Sequence, residues 1–193
     1  MKGLNKEIFF FFDKDCSNMV IVPDSVEHAY LAILNEDLNS ASAVFMHLDS
    51  PRAKWGKILT SILNGYMIDY PSYFQIRNFF EIDLDFLLKN NKIHYTEQCL
   101  GALDVLSSIN QEVYKFAARV MLENKLFKAA LKYLDKSKQI YYKDAELHFI
   151  YAKYYFDISH YQEAYFYINE CLKLIPEYYP AIIMKKRIEE INF

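Results

Sequence analysis

Apolar residues return every three or four positions along most of the chain, the period of helices with one buried face. Between residues 111 and 144 they fall at Tyr114, Ala117, Ala118 and Met121. After a break at Asn124-Lys125 they resume at Phe127, Ala130, Leu131 and Leu134. The form repeats between 145 and 178: His148, Tyr151, Ala152 and Tyr155, a turn near Ile158-Ser159-His160, then Tyr161, Ala164, Ile168 and Cys171. Each unit predicts two antiparallel helices. Small residues facing each other, Ala118 with Ala130 and Ala152 with Ala164, predict close approach within each pair, with aromatic side chains filling the wider gaps.

The two units fall onto each other under a shift of 34 residues. Phe127 meets Tyr161 and Leu134 meets Ile168, while Glu112, Arg119 and Glu123 meet Glu146, Lys153 and Asp157. One such hairpin cannot bury both of its faces, so it must stack on neighbours. The unit at 145–178 resembles a tetratricopeptide repeat, with His148, Tyr151-Ala152, Tyr155, Ala164, Ile168 and Pro176 at that family's spacing. The unit at 111–144 shares Tyr114, Ala117-Ala118, Met121, Ala130 and Leu134, and departs at Tyr142, where the family has proline. The resemblance implies an all-α, right-handed solenoid of antiparallel helical hairpins. It also implies a concave groove, lined by the first helix of each repeat, that binds a protein or peptide.

The rest of the chain divides around this pair. Residues 25–110 read as degenerate, irregularly spaced hairpins, with breaks at Asn35-Glu36-Asp37 and Asn90-Asn91 and a Ser50-Pro51 cap ahead of Trp55-Gly56 and Leu59. Residues 179–193 read as a capping helix, its polar side carrying Lys185, Lys186, Arg187, Glu189 and Glu190. Residues 1–24 fall outside the repeat. Two β-prone runs, 7–12 and 19–22, flank a polar stretch and read as a hairpin that covers the first helices, docks on a second chain or occupies the groove.

Composition narrows the function by exclusion. Twenty-two Lys and Arg against 25 Asp and Glu give a net charge of -3, too balanced for a protein built to coat nucleic acid. Only 4 glycines and 5 prolines argue against a many-stranded barrel, and the glycines at 3, 56, 65 and 101 cannot form a phosphate loop. The 3 cysteines suggest no disulfide framework, and no apolar run is long enough for a signal sequence or a membrane span, so a cytoplasmic protein is expected. His28, His47, His94, His148 and His160 show no metal-ligand spacing, and Cys99 and Cys171 read as small buried hydrophobes. Glu81, Asp83 and Asp85 read as a solvated face. No catalytic constellation, cofactor or metal is expected.

The candidate site is the charged ladder that repeats with the hairpins. Glu112, Arg119 and Glu123 share one helical face, and Glu146, Lys153 and Asp157 reproduce it. The resemblance places this face toward the groove, giving Lys115, Arg119, Glu123, Phe149, Lys153, Asp157 and Arg187 as ligand contacts. Cations there suit a carboxylate or acidic side chain, and Phe116, Ile150 and Ile183 supply apolar surface. Arg119 stands where the family's carboxylate-clamp members have asparagine, so no chaperone-tail ligand is assigned. The competing reading makes Arg119–Glu123 and Lys153–Asp157 i,i+4 pairs of a solvated helix, at roughly 0.2–0.5 kcal/mol each.

With 17 Tyr and 15 Phe, runs such as Tyr141-Tyr142, Tyr154-Tyr155 and Tyr178-Tyr179 cannot all be buried, which leaves aromatic surface for a partner or a second copy. The expected function is non-catalytic protein or peptide binding. The rivals are a secretion-type chaperone for a hydrophobic client, a self-associating scaffold and an enzyme or regulatory subunit whose activity appears with a partner.

Overall fold

A computed structural model describes residues 25–191, so the hairpin expected over 1–24 and Cys16 lie outside the described residues. Those described are all-helical, with no strand among them. In chain order the helices are α1 (Val26–Leu34), α2 (Leu38–His47), α3 (Pro51–Leu63) and α4 (Tyr73–Gln75), the last running through a π-helical segment, Ile76–Phe80, into α5 (Glu81–Lys89). There follow α6 (Ile93–Gly101), α7 (Leu103–Ser107), α8 (Val113–Glu123), α9 (Phe127–Ile140), α10 (Ala145–Asp157), α11 (Tyr161–Leu174) and α12 (Tyr179–Glu190). Sequence neighbours pack most extensively, α8 on α9 and α10 on α11 above all. α9 then packs on α10, and α5 and α10 each pack on α8.

Five helix ends share one turn. α1, α3, α5, α8 and α10 each finish in a residue with left-handed backbone: Glu36, Gly65, Asn91, Lys125 and Ser159, at φ 62°, 84°, 56°, 61° and 63°. Each turn closes with the same two amide hydrogen bonds. Lys125 N–H donates to Leu122 O and Leu126 N–H to Met121 O; Ser159 and His160 donate in the same way to Phe156 and Tyr155. This is the Schellman closure, which satisfies carbonyls that a helix end otherwise leaves open. Asparagine precedes the left-handed residue in four of the five, and Asn64, Asn90 and Asn124 each donate Nδ2 back to the carbonyl four residues earlier.

The turns also extend the 34-residue register. Lys89, Glu123 and Asp157 close α5, α8 and α10, and Ile93, Phe127 and Tyr161 open α6, α9 and α11, all in one spacing. The hairpin expected to be irregular at residues 80–106 therefore keeps the register at its turn, and departs in its first helix, entered through the π-helical segment, and where its second helix breaks at Ala102.

The N-terminal half is held by one buried carboxylate. Asp83 is 1% exposed and accepts hydrogen bonds from Tyr30 Oη, Trp55 Nε1 and Arg52, tying α1 and α3 to α5. The Arg52 guanidinium lies 4.8 Å from the Tyr30 ring centre and 4.9 Å from that of Phe79. The solvated face expected of Glu81, Asp83 and Asp85 is thus wrong for Asp83. It lies between Phe80 and Leu84 on the face that also buries Ile76 and Leu87. Gly56 serves the same core, since a Cβ there would meet the fully buried Phe45 ring at 2.4 Å.

In the C-terminal half the expected alanines Ala118, Ala130, Ala152 and Ala164 are fully buried, and Cys99 and Cys171 are buried free thiols. Between α10 and α11 the Tyr167 ring stacks on Tyr151 at 4.6 Å and on Tyr155 at 5.4 Å.

Non-glycine residues at left-handed φ are strained by roughly 1 kcal/mol, which glycine relieves. We expect Ser159→Gly to raise stability by about 0.5–1 kcal/mol and the melting midpoint by about 2–4 °C, and Ser159→Val to lower both. A lower midpoint for Ser159→Gly in calorimetry would contradict this account of the turns.

Candidate functional site

The charged ladder forms where the first helices of three hairpins, α5, α8 and α10, lie side by side. Position i and its neighbours at i+4 and i+8 share a helical face, so α8 presents Lys115, Arg119 and Glu123 together. Helix α5 brings Glu81 and Asp85, and α10 brings Glu146. Asp144, the N-cap of α10, accepts from Glu146 N–H at 2.9 Å and Leu147 N–H at 3.2 Å.

Two cations join the three helices. Lys115 Nζ lies 2.7 Å from Asp144 Oδ2, 2.9 Å from Glu146 Oε2 and 3.0 Å from Glu112 Oε1, with its side chain only 3% exposed. Arg119 uses both arms, Nη2 on Glu146 Oε1 at 2.8 Å and Nη1 on Glu81 Oε2 at 3.2 Å. The chain of contacts continues through Glu112 to Arg77 Nη1, at 3.4 Å, and to Tyr73 Oη, at 3.2 Å.

Electrostatics follow from this geometry. Burial works against the Lys115 ammonium, but the hydrogen bonds and charges of Asp144 and Glu146 outweigh it and raise its pKa above the usual lysine value. Glu81 goes the other way for a carboxyl. Burial raises it, Arg119 opposes, the charges of Glu123, Glu146 and Asp85 add to the rise, and its pKa is pushed up to about 7.

The predicted contacts separate on this structure. Lys115 and Arg119 come together, yet their charges are spent on the protein's own carboxylates. Neither i,i+4 pair forms: Arg119 reaches across helices rather than to Glu123, and Asp157 takes Lys125 Nζ at 2.9 Å rather than Lys153. In both cases the partner comes from a neighbouring helix: Arg119 takes Glu81 of α5 and Glu146 of α10, and Asp157 takes Lys125 from the turn after α8. Lys153 is half-buried and makes no ion pair among the described residues. Glu123 is exposed, and Phe149 meets Tyr178 edge-on at 5.4 Å. Arg187 is exposed in the last turn of α12.

Sequence reasoning missed Glu81 and Asp144 as members of this cluster. Asp144 carried a legible signal, an N-cap residue opening the second repeat unit. Glu81 carried none, since its partner lies 38 residues away.

The second accessible feature is apolar. The segment joining α3 to α5 exposes Tyr66, Ile68, Tyr70 and Phe74, with Ile68 73% exposed. Tyr141, Tyr142 and Tyr179 are exposed as well, in keeping with the expectation that the tyrosine runs are not all buried. Among the described residues no group of three or more His, Cys, Asp and Glu is placed to hold a metal ion, and no helix is long and apolar enough to cross a membrane.

Comparison of this chain with protein-family models, with curated proteins and with solved structures gives no match.

Removing one member of a buried ion cluster leaves the others desolvated without compensation. Lys115→Met should lose about 2–3 kcal/mol in urea denaturation at pH 7, whereas Lys153→Met should stay within about 0.5 kcal/mol of wild type. Equal effects would contradict the division between structural and free cations.

Proposed function

We propose that the chain is a non-catalytic, tetratricopeptide-like protein that binds a protein or peptide on the face formed by α5, α8 and α10. The observation that carries this reading is the alignment of those three helices in one register, with a shared charged face joined across hairpins. The 34-residue spacing of the Schellman turns supports it as a repeat architecture.

The chemistry of the face differs from the basic groove that the spacing of Lys115, Arg119 and Lys153 suggests. With Lys115 and Arg119 held internally, a ligand meets Glu123, Lys153 and the edges of Glu81 and Glu146, together with Phe149 and Tyr178. Such a surface suits a segment of mixed charge with an apolar anchor rather than a single free carboxylate.

A second reading, self-association or the shielding of a hydrophobic client, is favoured by one observation, the exposed Tyr66, Ile68, Tyr70 and Phe74. Four large apolar side chains exposed within nine residues of chain are a feature of interaction surfaces.

The test is affinity capture from native lysate with wild type, Glu123→Lys/Lys153→Glu and Ile68→Asp/Phe74→Asp, circular dichroism confirming helicity in each. Arg119 is left intact because reversing it breaks the seam between helices. The charged-face reading expects a partner lost by the first variant and kept by the second. The reverse pattern would overturn it in favour of the apolar segment.

A further inference from the structure

The charges in the seam do not balance, and the imbalance falls on one residue. Four carboxylates, Glu81, Glu112, Asp144 and Glu146, are met by three cations, Lys115 and Arg119 within the seam and Arg77 at its exposed rim, which leaves one carboxylate in excess. Glu146 is held by both cations. Asp144 has Lys115 and two backbone amides, while Glu112 has Lys115, Arg77 and the Tyr73 hydroxyl. Glu81 has Arg119 alone among the described residues, and takes the longer of its two contacts, 3.2 Å against 2.8 Å.

The other charges around Glu81 are negative. Glu123 faces it from α8, Glu146 from α10 and Asp85 from the next turn of α5. Of the remaining segments packed on α5, the π-helical segment carries Arg77, which is engaged by Glu112, and α6 carries His94 and Glu97. A second carboxylate competing for one arginine, in a partly buried seam and among like charges, is the arrangement in which a carboxyl keeps its proton.

We propose that Glu81 is a proton switch in the seam between α5 and α8. With its carboxyl neutral, Arg119 belongs to Glu146 alone and the seam carries one buried charge fewer. With its carboxylate charged, Glu81 and Glu146 divide Arg119 between them. The switch belongs to the helix seam and holds whichever partner the outer face takes.

The direction of the pH dependence follows. An unfolded glutamate titrates near about 4.3, whereas burial pushes folded Glu81 up to about 7. Between those values the folded state holds a proton that the unfolded state has released, so this group's contribution to stability falls as pH rises through that window. Above it, the desolvated charge is carried in full.

The test is a carboxyl-carbon NMR titration of the full chain, with the Glu81 resonance assigned by its loss in Glu81→Gln. Wild-type Glu81 should titrate near 7. Glu146→Gln frees Arg119 for Glu81 and removes a like charge, so it should weaken the Glu81 proton affinity by about tenfold or more. Arg119→Gln should strengthen it. Should Arg119→Gln fail to fold, Glu146→Gln carries the test by itself. Urea denaturation gives a second readout, since Glu81→Gln should gain stability relative to wild type as pH rises from 5 to 8. A wild-type midpoint between about 4 and 5, or a Glu146→Gln midpoint equal to wild type, would overturn the switch.

Discussion

The seam between α5, α8 and α10 rests on Lys115, an ammonium buried among carboxylates from its own helix and from the start of the next hairpin. A lysine so placed is tolerated only while its hydrogen-bond partners stay in place. That requirement fixes where α10 begins, because Asp144 must cap the helix and take Lys115 with the same carboxylate. Arg119, one turn on, extends the constraint to α5. Alanines and tyrosines pack the two helices within each C-terminal hairpin, and the ion pairs of Lys115 and Arg119 join one hairpin to the next.

The same division of labour appears on another face of α5. Asp83 gathers Tyr30, Arg52 and Trp55 from two helices into one buried polar centre, while Phe45, Phe80 and Leu84 supply the apolar burial around it. Burial pushes the Asp83 carboxyl upward, and Arg52, with the Trp55 and Tyr30 donors, works against that rise. Between these two polar centres the Schellman turns set helix lengths, and the alanine pairs set helix separation.

Much of this was legible in the sequence. The helical period, the Ser50-Pro51 cap, the alanine pairs and the breaks at Asn35, Asn90 and Asn124 are local features whose meaning does not depend on distant residues. Asn64-Gly65 has the same form, and its turn could have been read the same way. The partners of the charged ladder were less accessible. An i,i+4 spacing is visible in the chain, but Arg119 pairs with Glu81 and Glu146 because of how three helices pack. Asp83 shows the opposite case. Its position between Phe80 and Leu84 marked it as inward-facing, yet a carboxylate is assigned to solvent by default until its donors are known.

A double-mutant cycle across Arg119 and Glu146, with Arg119→Gln, Glu146→Gln and the double variant compared in urea at pH 7, addresses the account most directly. A pair that joins two hairpins in a partly buried seam should show a coupling energy of about 1 kcal/mol or more. A coupling below about 0.3 kcal/mol, the low end for a solvent-exposed pair, would mean that the ladder does not hold the helices together.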